Sequence, residues 1–565
     1  MEPILNLALI EQGLRLEGDQ RFEEQPWLEE SRHHRKAFWR DMKRSLDELY
    51  GFHGASTLFS TYDFYHDITQ RNRANPVPAI SWVDSDGGLR EISYAELGRA
   101  ADIKAARWAR QGLVPGQTVC LVRFEGVELA SDLLAGLKSG AVISLLPPWG
   151  RHFLQARLEQ LQPDYITAEP ASYPLLNAWM DSVLSDEAEG MPPVPQFFHG
   201  YPAGDPVFRL FPRGSSASLV PVDISSEAAY LSALRDGLIS LGLRPGKVYA
   251  APGFHLLETQ PALLLVGLLC GASWCHLRPG DLVSDAGLMD GRPITAFGVS
   301  CRVREMLLDT SYPLDGRWES WFRNPAESFD LDRWQLFVRR LHLDRSFAFN
   351  LRWDAALGGC SLVSARRQGT AHMMVLPPAG CGWSLGAPGL QNPMPGGALS
   401  LSLPGAPEDL MHPAGSMLTS HRHEWLFTGV DGVSRHGAVY PVDELLTVLR
   451  DGFASVDLFF SIVACPRSDR PDGCCLVLLV FTGLGPEAHP PTLEEDSRAL
   501  IAREMGDEFQ PDTVVSVPLI PRLLSDRKVD HAWCRDQYLS GFLAKRAQGE
   551  VFRCLTALRA FLMQG

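Results

Sequence analysis

Residues 92–148 read ISYAELGRAADIKAARWARQGLVPGQTVCLVRFEGVELASDLLAGLKSGAVISLLPP, and this stretch decides the fold. A helix is predicted to begin after Ser93, because Glu96 stands three positions on, as in a capping box. After a Pro-Gly turn come an apolar strand at 117–124, a helix at 128–140 and a buried strand at 141–147. Strands that alternate with helices predict a parallel, doubly wound sheet, so the predicted class is α/β.

The flanking sequence extends this pattern in both directions. Residues 78–92 predict a strand, a Gly-Gly hairpin turn and a second strand, and 222–255 repeat the alternation of strands and helices. The Pro- and Gly-rich stretch 377–413 is predicted to be loops. A different, α+β pattern follows. Three parts are therefore predicted: a helical extension at 1–56, a large domain at 57–430 and a small domain at 431–565.

Composition narrows the classes of function. Apolar residues make up 45% of the 565 positions and charged residues 21%, which is typical of a globular protein. A formal net charge of −15 with no concentrated basic face argues against binding to nucleic acid. The local cluster RRLHLDR contains Arg339, Arg340 and Arg345. We interpret it as the solvated face of a helix and not as a nucleic-acid site.

The compartment is predicted from three further features. The N-terminus has no basic region or small-residue cleavage site, and the longest apolar run, 261–277, contains glycines and a histidine. We therefore expect neither a secretion signal nor a membrane span, but a buried strand or helix. Eleven scattered cysteines predict free thiols in a reducing cytoplasm.

Several blocks resemble the adenylate-forming superfamily, which contains acyl-CoA synthetases, aryl-AMP ligases, luciferases and peptide-synthetase adenylation domains. The resemblance begins with 92–148, continues through LGLRPGKVYAAPGFH at 241–255 and LFTGVDGVSRHGAVYPVDELL at 426–446, and ends with IPRLLSDRKVD at 520–530. It implies a large N-terminal domain of doubly wound sheets with a distorted barrel-like part, and a small mobile α+β C-terminal domain. For an active member it also implies ATP and Mg²⁺, a carboxylic-acid substrate, and CoA or an acyl carrier protein as acceptor.

The family's phosphate loop corresponds to FPRGSSASLVPVD at 211–223. The resemblance places Gly214, Ser215 and Ser216 at the glycine and the two hydroxyl positions. It also places Ala217 at a glycine and Val220 at the lysine, so the loop lacks its cation and some freedom of close approach. The alternative is that the three residues form a turn before a helix capped at Ser225.

Two carboxylates of the family are replaced. The Tyr-Gly-x-Thr-Glu run corresponds to 368–372, where Gly369 persists and His372 stands at the magnesium glutamate. Imidazole is a poor ligand for Mg²⁺, which prefers hard oxygen. The ribose-binding aspartate corresponds to Ser416, and the hinge arginine to Val430. Rotation of the small domain about Asp431 remains compatible with the sequence.

Two positions keep family-like chemistry. Lys528 matches the C-terminal lysine that reaches the acyl carboxylate and the α-phosphate; a solvated lysine is the alternative. His255 in PGFH matches a position that borders the acyl pocket; a core histidine bonded to backbone is the alternative.

Other motifs are weaker. Residues 382–386 spell G-x-S-x-G around Ser384, but the surrounding prolines do not fit a nucleophile elbow, so a loop is predicted. No resident metal is predicted, because no ligand spacing is recognised in the three histidine-containing clusters, which are His33 with His34, 421–423, and DFYHD at 63–67. Core packing is expected for the tryptophans of the least family-like region, although a flat aromatic ligand would suit them too: Trp318, Trp321, Trp334 and Trp353.

Two interpretations follow. In the first, the chain keeps the fold and an acyl-binding or docking surface, but ATP-dependent activation of carboxylates is weak or lost, as in an accessory protein of a biosynthetic pathway. In the second, it is an active acyl- or aryl-AMP ligase with an atypical ATP site. Loss of both anionic anchors favours the first, since each charge-assisted hydrogen bond contributes about 1.5–3 kcal/mol.

Overall fold

The computed structural model describes sixteen stretches of the chain. They are residues 26–50, 61–84, 86–185, 199–211, 219–284, 286–289, 293–310, 318–366, 371–386, 396–406, 410–421, 424–430, 432–456, 458–466, 474–483 and 492–543. No helix within these ranges is long and apolar enough to cross a lipid bilayer.

The strands of the described residues alternate with helices over most of the chain. In chain order they are β1 (Thr61–Tyr62), β2 (Ile80–Val83), β3 (Leu89–Ile92), β4 (Thr118–Val122), β5 (Val142–Leu146), β6 (Tyr165–Ala168), β7 (Tyr201–Pro202), β8 (Pro206–Leu210), β9 (Val222–Ser225), β10 (Val248–Ala250), β11 (Ser273–His276), β12 (Ile294–Gly298), β13 (Ser320–Arg323), β14 (Phe347–Asp354), β15 (Gly359–Arg366), β16 (Trp383–Leu385), β17 (Gly396–Leu401), β18 (His412–His421), β19 (Glu424–Val430), β20 (Ser434–Arg435), β21 (Ala438–Val439), β22 (Phe459–Pro466), β23 (Cys474–Phe481) and β24 (Thr513–Val517).

The α-helices are interspersed with short 3₁₀ and π turns. In chain order they are α1 (Pro26–His33), α2 (Arg35–Tyr50), α3 (Tyr94–Arg110), α4 (Val127–Ser139), α5 (Arg151–Leu161), α6 (Ser226–Leu234), α7 (Leu256–Thr259), α8 (Ala262–Leu269), α9 (Pro279–Ser284), α10 (Cys301–Asp309), α11 (Leu331–Arg340), α12 (Val442–Gly452), α13 (Leu493–Glu504) and α14 (His531–Leu539).

Contacts divide the chain into two units. The first contains most of the described residues up to Val439, and the second contains those from Tyr440 onward together with Trp149–Arg157. The sequence places the boundary at 430/431 instead, and Asp431 lies outside the described residues. The predicted three-part division and the hinge at Asp431 stay predictions.

Two large sheets form the body of the first unit. An eight-stranded sheet has the order β15-β14-β13-β12-β10-β11-β2-β3, parallel except for its two edge strands, and a five-stranded sheet has the order β6-β4-β5-β8-β9, parallel except for β9. All five residues of β4 are buried. A parallel strand covered on both faces needs such a continuous apolar run. The predicted doubly wound α/β architecture is confirmed.

Local sequence explains where α3 begins. The Ser93 hydroxyl accepts a hydrogen bond from the Glu96 backbone N–H at 3.2 Å, and the Glu96 carboxylate accepts one from the Ser93 N–H at 3.0 Å. This is the predicted capping box, which satisfies two donors that a helix start leaves without partners. The bond from the Ser93 N–H also lowers the pKa of Glu96.

A smaller antiparallel sheet, with the order β16-β17-β18-β19, lies where the resemblance implies a barrel-like part. The described strands do not form a closed barrel. The expectation of loops over 377–413 is wrong in part, because β16 and β17 lie in this stretch. The two strands pair with Ser384 opposite Ser400. Glycine and proline are compatible with a strand at the edge of a sheet, where β16 lies.

The second unit has the predicted α+β content. Strands β22 and β23 are antiparallel and β24 runs parallel to β23. Cys475 is buried in β23, as expected for a buried strand. A core of apolar residues from β22, β23 and α14 holds the unit together.

Candidate functional site

The carboxyl edge of the eight-stranded sheet gathers polar side chains. Parallel strands place ligand sites at this edge, because the connections after the strands leave a crevice there. His255 follows β10 and begins α7, and Asn324 follows β13. Glu258 lies one turn into α7, is 1% exposed, and accepts a hydrogen bond from the Asn324 amide at 3.2 Å.

His255 is partly buried at the start of α7. Its carbonyl accepts the N–H groups of Glu258 and Thr259 at 2.9 and 3.2 Å, as well as the Thr259 hydroxyl at 3.1 Å. The backbone of His255 therefore helps to form the helix start. Its assignment to an acyl pocket stays a prediction.

A buried guanidinium lies beside this edge. Arg323, the last residue of β13, donates to the Asn350 side-chain oxygen at 2.9 Å and to the Glu327 carbonyl at 3.2 Å. The Glu327 carboxylate accepts the Cys301 N–H at 2.7 Å, and burial raises the pKa of Glu327 to about 7. Sequence reasoning missed this cluster. Its one signal is a charged residue ending an otherwise apolar strand, SWFR.

His372 is held by protein groups at both ring nitrogens. Nδ1 lies 3.2 Å from the Asn350 amide nitrogen, and Nε2 lies 3.4 Å from the Ala348 carbonyl oxygen. A carbonyl only accepts, so Nε2 carries the proton and offers no lone pair to a metal ion. The Asn350 amide nitrogen has two hydrogens and also lies 2.9 Å from the His372 carbonyl oxygen and 2.8 Å from the Met374 carbonyl oxygen, so Nδ1 accepts at most a shared hydrogen bond from it.

The electrostatic surroundings of His372 also oppose positive charge. Burial lowers the pKa of His372 to about 3, and the nearby guanidiniums of Arg366 and Arg323 act in the same direction. The backbone at this position is fixed too, since the His372 carbonyl accepts from Asn350 at 2.9 Å and from Arg323 at 3.3 Å. The imidazole is therefore a neutral, structural group.

Ser416 lies inside β18. It is 1% exposed, and its hydroxyl donates to the Ala414 carbonyl at 3.2 Å. In the antiparallel register it pairs with Val430 of β19, so the two positions that the resemblance assigns to ribose aspartate and hinge arginine face each other across one strand pair. The hydroxyl is used within the strand.

The loop between β8 and β9 corresponds to the phosphate loop. Leu210 pairs with Val222, so the loop closes a hairpin. Val220, at the lysine position, is 58% exposed. Ser225 caps α6 by accepting the Ala228 N–H at 3.2 Å, as predicted. The remaining assigned residues, Gly214, Ser215, Ser216 and Gly369, lie outside the described residues, and their roles stay predictions.

Lys528 belongs to the second unit. It follows a tight turn in which its N–H donates to the Asp526 carboxylate at 3.1 Å and its carbonyl accepts the Leu524 N–H at 2.8 Å. The side chain is 78% exposed, and its ammonium lies 3.3 Å from Asp526. The turn presents the ammonium to solvent. A catalytic role stays a prediction.

The rival motifs have structural explanations. Ser384 lies within β16, where a nucleophile elbow would need a turn between a strand and a helix. Asp67 in DFYHD accepts the Tyr230 hydroxyl at 2.6 Å. Among the described residues, no group of three or more histidine, cysteine, aspartate or glutamate side chains is arranged to hold a metal ion. The four tryptophans are buried, as expected for core packing, and the rings of Trp321 and Trp334 stack at 5.2 Å.

Comparison with known proteins links this architecture to other chains. No family model matches. A stretch of 230 residues is 26% identical to nonribosomal peptide synthetase 5 of Gibberella zeae, and the match covers 40% of this chain and 2% of the length of that synthetase.

Solved structures match over more of the chain. Amide bond synthetase McbA from Marinactinospora thermotolerans is 16% identical with a TM-score of 0.64, and the match covers 84% of this chain and 100% of that one. o-Succinylbenzoate CoA synthetase from Bacillus subtilis is 12% identical with a TM-score of 0.65, and the match covers 84% of this chain and 98% of that one. The chain therefore has the fold of these two synthetases over most of its length, in agreement with the fold that the sequence resemblance implies.

Proposed function

We propose that this chain is an adenylate-forming homologue in which ATP-dependent activation of carboxylates is weak or lost. Its role would be that of an accessory or acyl-binding protein in a biosynthetic pathway. One observation carries the proposal: the groups at the two anionic anchor positions, His372 and Ser416, are bonded to the protein's own backbone and side chains.

The residues present do not fit Mg²⁺-ATP at these positions. A magnesium site needs oxygen ligands, whereas His372 has only ring nitrogens, one that donates to the Ala348 carbonyl and one that faces the Asn350 amide. A ribose site needs an accessible acceptor, and the Ser416 hydroxyl is buried in a strand.

The ligand of such a protein is proposed from its relatives. The solved neighbours include an amide bond synthetase, a CoA synthetase bound to a CoA-containing product analogue, and an adenylation domain fused to a peptidyl carrier protein. We propose a carboxylic acid as the small-molecule ligand, and CoA or an acyl carrier protein as partner. His255 and the buried Glu258, at the carboxyl edge of the sheet, are the candidate pocket residues.

An active acyl- or aryl-AMP ligase is the second candidate. The exposure of Lys528 at a tight turn favours it, because a lysine presented in this way can reach a ligand. In this case Gly214, Ser215, Ser216 and Gly369 would hold the phosphates, with movement about Asp431.

Carboxylate-dependent ATP–pyrophosphate exchange separates the two candidates. A panel of aliphatic, aromatic and amino acids is offered to the wild type and to Lys528→Ala, with thermal-shift titration by ATP and Mg²⁺ in parallel. We expect equal background exchange in both proteins and no shift with Mg²⁺-ATP. Exchange that Lys528→Ala abolishes would establish the ligase and overturn the proposal.

The acyl-binding part is tested without nucleotide. The same panel is titrated into the wild type and into His255→Ala while melting is followed. We expect at least one acid to raise the melting temperature of the wild type and less so that of the variant. An absence of any shift across the panel would contradict acyl binding while leaving the loss of activation intact.

A further inference from the structure

A cavity of about 530 Å³ lies against α2, away from the residues discussed above. Five cationic and two anionic side chains border it, together with parts of two loops near Gly380 and Leu403. The cations all come from α2: Arg35, Lys36, Arg40, Lys43 and Arg44. We call this the basic cavity.

The spacing of these cations puts them on one side of the helix. Successive residues turn by about 100°, so positions 35, 36, 40, 43 and 44 cover roughly half of the circumference. The buried residues Phe38, Met42 and Leu46 form a stripe that adjoins this arc on the Arg35 side, and they pack into the large core of the first unit. The helix is thus anchored by its apolar face and turns its basic face toward the cavity.

One cation of the cavity is already neutralised. The Lys43 ammonium lies 2.7 Å from a Glu227 oxygen that also accepts the Tyr62 hydroxyl at 2.7 Å. Gly405 adopts a φ of +75°, and a Cβ there would lie 2.1 Å from the Glu227 carboxylate. Glu227 is therefore enclosed by protein, so it fixes one wall of the cavity.

Arg35 donates to the Ser402 hydroxyl, and two of the other cations, Arg40 and Arg44, keep capacity for a ligand. Arg40 and Arg44 are 72% and 55% exposed, and each lies 3.6 Å from a single oxygen of Asp41, beyond hydrogen-bond distance. Guanidiniums prefer bidentate hydrogen bonds to carboxylate or phosphate oxygens. A doubly charged anion would supply them.

The simplest alternative is a solvated helix face. Two observations argue against it. The cations line a concavity that also has apolar parts, Trp39 of the same helix and Leu403, and 530 Å³ lies within the range of small-molecule sites. In addition, positive side chains cluster at this cavity although the net charge of the chain is −15. Such a local positive potential attracts anions.

We propose that the basic cavity binds a small organic molecule with an anionic head of at least two negative charges and an apolar body. Arg40, Arg44 and Lys36 hold the head, and Trp39 with Leu403 contacts the body. Phosphate and carboxylate heads share this chemistry. The site involves neither His372 nor Ser416, so it does not depend on the proposed function.

Isothermal titration calorimetry of the full chain with pyrophosphate, citrate and phenyl phosphate tests the site. We expect a dissociation constant below about 1 mM for at least one probe. The triple variant Lys36→Gln, Arg40→Gln, Arg44→Gln should weaken binding at least about tenfold, which is the loss of about one charge-assisted hydrogen bond. The matched control removes three exposed arginines elsewhere, by Arg99→Gln, Arg302→Gln and Arg339→Gln, and should stay within about twofold.

A second variant distinguishes the contribution of the cavity's shape from that of its positive charge. Ala406→Trp fills the concavity and leaves every cation in place, so it should abolish binding of phenyl phosphate. Tighter binding of pyrophosphate than of citrate would identify a phosphate head, and the reverse a carboxylate head. The proposal is overturned if no probe binds with a dissociation constant below about 1 mM, if the control loses as much affinity as the triple variant, or if Ala406→Trp binds phenyl phosphate like the wild type.

Discussion

His372→Gln should remove part of the acid sensitivity of this protein. A glutamine places an amide oxygen and an amide nitrogen near the two ring nitrogens, so it can still accept from Asn350 and donate to the Ala348 carbonyl. It has no proton to take up between pH 7 and pH 5. The wild-type imidazole does have one, and only the unfolded chain binds it readily.

The magnitude follows from linkage. The pKa of His372 is about 3 in the folded chain, against an ordinary value of 6.5. Because the folded value is the lower one, the unfolded state binds more protons between pH 6.5 and pH 3, and stability falls as the pH falls through this window. At pH 5 the loss is about 2 kcal/mol, and it is nearly absent at pH 7.

Urea unfolding, followed by tryptophan fluorescence at pH 7 and pH 5, measures the difference. We expect the wild type to lose about 2 kcal/mol more than His372→Gln between the two pH values. His33→Gln, at an exposed position of α1, is the matched control and should lose as much as the wild type. Equal losses in the wild type and His372→Gln, or an imidazole NMR signal of His372 that titrates near pH 6.5, would refute the neutral, structural histidine.

Four further predictions concern stability, each measured as the change in unfolding free energy. Ser93→Ala should cost about 1 kcal/mol because α3 loses its cap, whereas Ser540→Ala, at an exposed helix end, should cost less than about 0.5 kcal/mol. Asp132→Ala should cost about 3–5 kcal/mol because it removes the buried carboxylate that lies 2.8 Å from the Arg123 guanidinium and also pairs with Lys104; a cost below about 1 kcal/mol would contradict a buried pair. Gly267→Ala should cost at least about 1–3 kcal/mol because its Cβ would lie 2.1 Å from the Tyr249 ring, while Gly280→Ala, with open space around it, should be neutral. Ser416→Asp should cost several kcal/mol more than Ser416→Ala, since it buries a carboxylate; equal costs would mean that this position is open to solvent.

The sequence allowed the fold to be predicted because the fold depends on local patterns. The capping residues of α3, the apolar run of β4 and the alternation of strands and helices each carry their own signal. The error at 382–386 has a local cause as well. Glycine and proline favour loops in general, and only pairing with β17, at Trp383, Ser384 and Leu385, makes β16 a strand.

The candidate sites depend on contacts that no local pattern contains. The resemblance assigns His372 to a carboxylate position, but the contacts of its ring with Asn350 and Ala348 come from the neighbouring strand β14 and are not visible in the sequence. Likewise, the cations of α2 appear in the sequence as an amphipathic helix. The concavity opposite them is formed by Gly380 and Leu403, more than 300 positions further along the chain. Sequence reasoning therefore missed the basic cavity.

The protonation of His372 also bears on what the surrounding site can hold. A proton on this imidazole is a unit positive charge, and burial together with Arg366 and Arg323 disfavours it strongly. The same two guanidiniums repel a divalent cation at this position more strongly still, because the Coulomb energy grows with the ion's charge. At the position that the resemblance assigns to a magnesium-binding glutamate, residue 372 supplies no carboxylate to offset that repulsion. The buried guanidinium of Arg323 and the partly buried one of Arg366 therefore disfavour a divalent cation here, in addition to the lack of an oxygen ligand.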